Sequence, residues 1–175
     1  MFKDASVLQI IVGNLVTAAL WCFAMFLLCI SFKPSFFSEK KSLYLPREWE
    51  KNGKWYAKHL KINEWKDRLP QHNGKKGFSK EHLGNTITVE YIDQFILETC
   101  RGEWDHWMCG MYFFVSLLIN PFGVGILIGL LLLVGNLPFI IIQRYNRFRL
   151  QTLRKRMLRE QQRIGRAQSE GTVMA

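Results

Sequence analysis

The chain has 175 residues, 49% of them hydrophobic, and a formal charge of +10. That length allows one domain, but the apolar residues come in long unbroken blocks rather than spread as in a soluble core. A basic chain without a recognisable DNA- or RNA-binding module argues against nucleic acid as partner and for anionic membrane lipid.

The first block, residues 7–30, gives 24 residues with no charge and only Gln9, Asn14 and Thr17 as polar groups. As a helix it reaches about 36 Å, against about 30 Å of hydrocarbon, and so forms a first transmembrane helix. The run ends Cys29-Ile30-Ser31-Phe32, and Leu27-Leu28-Cys29 lacks the small residue expected before a lipidated cysteine; an uncleaved anchor is expected. Residues 31–90 form an amphipathic cytoplasmic loop, in which Trp49, Trp55, Tyr56 and Trp65 among lysines favour the headgroup level. Apolar spacing over residues 55–69 predicts one interfacial helix, closed by Leu69-Pro70. His59 on it is either solvated or a secondary candidate base. Residues 71–77 read as a loop, with His72 and His82 solvated and Ser79 a helix cap.

Residues 91–119 read as one helix, a string of ionisable groups running into an apolar segment without a turn signal. Residues 107–119 alone span only about 20 Å, so the polar turns from Glu98 onward must enter the membrane boundary. Asn120-Pro121 then breaks the helix, and residues 122–142 supply the return span of a hairpin, with Gly125 and Gly129 spaced for close helix packing. The basic tail, residues 143–175, has nine Lys and Arg against two Glu, and residues 31–105 have fourteen against eleven acids. Both therefore belong in the cytoplasm, with the N-terminus outside. A re-entrant second segment would export the tail. The expected fold class is an all-α integral membrane protein, with about three transmembrane helices, the amphipathic loop and a basic C-terminal helix over residues 151–166 on anionic lipid.

Two stretches are dense in chemistry. On a helical wheel, Glu98, Arg101, Asp105 and His106 share about 140° of arc. Charges beside a bilayer normally face a protein interior or wet cavity and mark a site, although the same spacing also makes a plain ion-pair ladder. The second stretch, Gln143-Arg144-Tyr145-Asn146-Arg147-Phe148-Arg149, places three arginines at the membrane boundary, either as anchors or as bidentate binders of phosphate or carboxylate. Cys22, Cys29, Cys100 and Cys109 form no Cys-x-x-Cys pair, so no metal site is expected. No nucleotide-binding glycine pattern or serine elbow occurs, and no cofactor is expected.

The blocks Ile96-Leu97-Glu98-Thr99-x-Arg101-x-Glu103-x-x-His106-Trp107 and Pro138-x-Ile140-Ile141-x-Gln143-Arg144-Tyr145-Asn146-Arg147-x-Arg149-Leu150, with the weaker Glu50-Lys51-x-Gly53-Lys54 and Trp65-Lys66, resemble the glycosyl-4,4'-diaponeurosporenoate acyltransferases. One departure is Phe148, where that family commonly has proline. The resemblance implies transfer from a fatty acyl donor to a sugar hydroxyl on a glycosylated lipid or carotenoid acceptor, at the cell membrane of a bacterium. On that reading His106 is the general base, Glu103 or another carboxylate orients it, and Arg101, held by the carboxylates Glu98 and Asp105 on its part of the arc, faces the carbonyl oxygen or donor phosphate. Arg144, Tyr145, Asn146, Arg147 and Arg149 are then substrate-binding. The rival readings are a non-catalytic partner that binds or presents an anionic lipid, and a membrane enzyme acting on another glycolipid or polyprenyl lipid.

Overall fold

The first helix, α1 (Val7–Ser31), begins at a reciprocal cap in which the Ser6 hydroxyl accepts from the Gln9 amide and the Gln9 side chain accepts from the Ser6 amide. Its burial is inverted relative to a soluble helix. Asn14 is buried, while Val7, Leu8, Leu15 and Leu20 are more than 60% exposed. Such a helix suits a hydrocarbon solvent, with its polar atoms turned towards protein. This computed structural model describes residues 6–69 and 87–173, and the expectations placed on residues 71–77, His72, Ser79 and His82 lie outside them.

No strand occurs among the described residues. After α1 the chain makes a 3-10 turn (Pro34–Phe37), a second turn (Glu48–Gly53) and two short helices, α2 (Lys54–His59) and α3 (Ile62–Trp65). The single helix expected over residues 55–69 is therefore broken. Lys61 enters the left-handed region (φ 46°), and the Trp65 indole donates to the Leu60 carbonyl across the break. Tertiary packing explains it: the kink lets Tyr56 and Ile62 both insert against Ile142, Tyr145 and Phe148, where an unbroken helix would hold one fixed face.

The central helix, α4 (Val89–Gly110), is capped by the Thr88 hydroxyl. The single helix expected over residues 91–119 is therefore two, interrupted at Met111 before α5 (Tyr112–Ile119), and Asn120 then turns extended, as the Asn-Pro pair predicts. The last helix, α6 (Phe122–Val173), runs 52 residues without a break, carrying Pro138 inside it. The return span and basic tail, expected as separate helices, are thus one rod of about 78 Å. Among the described residues α1 and α6 are long and apolar enough to cross a membrane.

α6 packs back along α5 and α4, pairing Gly125 with Ser116 and Asn136 with His106, and α1 lies along α4 in the opposite sense, setting Trp21 against Met108 and Cys29 against Arg101. The close approach at Gly125 and Gly129 is real: an added Cβ would stand 2.8 Å from the Ser116 carbonyl and 3.0 Å from the Phe113 Cα. At the hairpin end, Asn14 and Asn120 exchange amide hydrogen bonds of 2.8 and 2.9 Å, and the Tyr112 hydroxyl joins Asn14 (3.1 Å) and Thr17 (2.6 Å). These polar side chains pin α1 to the hairpin inside an otherwise apolar bundle. At the opposite end Phe37 and Tyr44 pack with Cys29 and Cys100. The tail is tied there by Arg154, which bonds Glu39 and Asp93 at 2.6 Å.

Candidate active site

Glu50 is placed by backbone geometry. In its turn Lys51, Asn52 and Gly53 all have positive φ (47°, 54° and 86°), which reverses the chain and lays the glycine against Phe148, where a Cβ would meet the ring at 3.2 Å. Glycine suits this position because it takes left-handed backbone without steric penalty. The result points Glu50 at α6, with no solvent exposure.

There it meets Arg144. The guanidinium forks onto Glu50, Nε to Oε1 at 2.7 Å and Nη2 to Oε2 at 2.8 Å. Its other hydrogens go to Glu103 Oε1 (2.8 Å) and to the carbonyls of Leu43 (2.9 Å) and Leu45 (3.1 Å). All five donors are engaged. Arg147, 2% exposed, pairs with the other oxygen of Glu103, donates to Cys100 Sγ (3.4 Å) and lies over the Tyr44 ring. The Tyr56 hydroxyl and the Arg47 amide complete the shell of Glu50, each at 2.5 Å. Two carboxylates and two guanidiniums thus form a charge-balanced network joining the loop, α4 and α6.

Burial pushes the Glu50 carboxyl up, yet the bonds from Arg144, Tyr56 and the Arg47 amide outweigh it and leave its pKa below the ordinary value. Burial, and then the bond to Glu50, hold the Tyr56 hydroxyl well above the usual tyrosine range, so it stays a donor. Burial likewise raises Tyr44.

The polar arc of α4 divides. Glu98 accepts from Arg101 (2.9 Å) and Gln94 (3.0 Å), and the Arg101 guanidinium lies over Phe37. Among the described residues, Arg101 Nε, Asp105 Oδ1 and Trp107 Nε1 are buried atoms without a hydrogen-bond partner. Half-buried His106 turns to α6 instead, its Nδ1 3.0 Å from Asn136 Oδ1 and its ring stacked on Phe139 at 4.7 Å. Glu103, expected as a neighbour able to orient His106, is committed to the arginines; an amide occupies the expected carboxylate position.

Of the second stretch, Tyr145 is buried and donates to Asn63 Oδ1 (2.9 Å), Arg149 is exposed over the Tyr145 ring, and Asn146 is half-buried. His59 is exposed, stacked on Trp55. Asn136, Tyr44 and Tyr56 fall outside the two chemistry-dense stretches, and Glu50 stands only in the weaker block of the family resemblance. Asn136 did carry a signal, as the only polar side chain within residues 122–142. Among the described residues no group of three His, Cys, Asp or Glu is placed to hold a metal ion.

Fold and site together define a membrane-associated helical protein whose loop is locked to its long helices by buried charge, with a half-buried histidine one helical turn along α4 from Glu103. The family model for glycosyl-4,4'-diaponeurosporenoate acyltransferase matches residues 40–156. The protein of that name from Staphylococcus aureus strain MRSA252 is 31% identical over 122 residues, covering 67% of this chain and 72% of that protein. That from strain Newman is 30% identical over 132 residues, covering 73% and 78%. No solved structure matches the chain. The chain belongs to the glycosyl-4,4'-diaponeurosporenoate acyltransferase family, and it is an acyltransferase.

Proposed function

We propose that this acyltransferase moves a fatty acyl group onto a sugar hydroxyl of a glycosylated lipid-like acceptor, a carotenoid glycoside being the candidate that the relatives' name supplies, at a bacterial cell membrane. His106 is the general base. It takes the hydroxyl proton as the sugar oxygen bonds to the acyl carbon, and returns it to the leaving group as the donor's acyl bond breaks. The observation that carries this role is the division of the ring: Nδ1 is engaged by Asn136, while Nε2 has no hydrogen-bond partner among the described residues.

Arg101, steadied by Glu98 and with Nε unpartnered, is the group for the developing oxyanion or a donor phosphate. Asn146 and Arg149 are open to a headgroup. Arg144, Tyr145 and Arg147 act by fixing the loop beside the site, since their polar groups are engaged within the protein.

Three crossings, with the N-terminus outside and the tail in the cytoplasm, follow from the charge distribution. The antiparallel packing of α1, α4–α5 and α6 supports them, because it brings the loop and the tail to one end of the bundle. Labelling of a cysteine placed at Ser169 from outside intact cells is expected to fail; efficient labelling would make the second segment re-entrant.

The deciding assay uses the full chain in lipid nanodiscs with a long-chain acyl donor and a glycosylated carotenoid or other glycolipid. His106→Gln is expected to lower turnover by about 100-fold or more, with helicity unchanged. Near-normal turnover would remove His106 from the mechanism.

A further inference from the structure

We propose that Asn136 is a positioning residue for acyl transfer, fixing His106 in the tautomer that carries hydrogen on Nδ1 and leaves Nε2 as the proton acceptor. This rests on the reading of His106 as the base and adds what makes it competent.

The argument begins with the amide. Asn136 Nδ2 donates to the Leu132 carbonyl one turn back along α6, at 2.8 Å. Reversing the amide would set two oxygens against each other at that distance, so the Nδ2 bond fixes Oδ1 as the atom facing His106. An amide oxygen only accepts, and the imidazole nitrogen 3.0 Å away must therefore be the donor. In a neutral ring only one nitrogen carries hydrogen, which leaves Nε2 with its lone pair. The Phe139 ring, stacked at 4.7 Å and 16°, restricts rotation of the imidazole.

Three features fit a purpose beyond packing. Asn136 stands alone as a polar side chain in an apolar segment, where an amide carries a desolvation cost that leucine would avoid. Its bond crosses between helices, joining residues 30 apart in sequence. A neutral acceptor also sets the tautomer without placing an ionised carboxylate among Leu132, Leu133 and Phe139.

The test uses the full chain in nanodiscs with 15N-labelled histidine, the His106 resonance among four histidines being assigned with His106→Gln. In the wild type His106 should show a protonated Nδ1 and an unprotonated Nε2; an Nε2–H signal there would overturn the inference without any variant. Asn136→Leu should admit the other tautomer and lower kcat by about 10- to 100-fold, with KM for donor and acceptor within about twofold. If His106→Gln is inactive while Asn136→Leu keeps both tautomer and turnover, the base stands and the positioning role falls. If His106→Gln is active, both fall.

Discussion

Arg144→Lys separates a structural guanidinium from a merely positive one. Lysine keeps the charge but offers three hydrogens in place of five, from a single point rather than a planar fork. The five acceptors of Arg144 lie on two carboxylates and two loop carbonyls, so at least two bonds are lost. Hydrogen bonds from a charged donor contribute about 1.5–3 kcal/mol each, and water can reach the Leu43 and Leu45 carbonyls, so the lower end applies and the loss is about 3 kcal/mol. At about 2–4 °C per kcal/mol for a chain of this size, the melting point should fall by about 6–12 °C. Arg144→Ala should be worse, because it leaves Glu50 and Glu103 short of a counter-charge in a buried site. Thermal unfolding in detergent by circular dichroism measures the loss, and limited trypsin digestion locates it. Cleavage within residues 33–68 should accelerate before the long helices are cut. A lysine variant that melts within about 1 °C of wild type and is cut at the same rate would refute the reasoning, and return Arg144 to the role of an anchor or ligand group.

Glu50, whose pKa is lowered on folding, contributes stability that is present above its ordinary value of 4.5 and is lost as pH falls through the folded value. Glu50→Gln should thus melt lower at neutral pH and lose less on acidification than wild type, in detergent melts across that range. Gly53→Ala places a Cβ at φ +86° and 3.2 Å from Phe148, and should cost about 1–2 kcal/mol from the backbone alone, read from chemical denaturation. Gly129→Leu should destabilise by about 1–3 kcal/mol because the Phe113 backbone stands in the way, whereas Gly135→Leu, into open space, should stay within about 0.5 kcal/mol; equal effects would dissociate the glycines from helix packing.

The long helices were legible because their signals are local. An uncharged run of 24 residues, an Asn-Pro break and a polar stretch that enters an apolar one without a turn signal each specify an element without reference to anything distant. The loop was not legible in the same way. Trp55, Tyr56, Leu60, Ile62 and Trp65 fit helical spacing, but the chain breaks at Lys61 because Tyr56 and Ile62 pack on residues some 80 positions later, and a periodicity sees nothing of that partner. Nor does a change from apolar to basic composition mark a helix end. Between Ile142 and Arg144 the solvent preference of α6 reverses while its backbone continues, since the helix is maintained by its own hydrogen bonds on either side of the boundary.

For the site, a helical wheel gives the direction of each side chain but not what waits there. It groups Glu98, Arg101, Asp105 and His106 and sets Glu103 about 60° beyond His106, where the i, i+3 spacing makes it the nearer acidic neighbour; the structure turns that carboxylate to Arg144 and Arg147 instead. A carboxylate pointing at two arginines cannot also serve an imidazole on the adjoining part of the helix. The group that meets His106 comes from the facing helix, where in residues 122–142 only Asn136 has a polar side chain to offer. An isolated polar residue in an apolar segment, read together with a histidine at matching depth on the antiparallel neighbour, points here to the contact that forms, where the i, i+3 spacing along one helix does not.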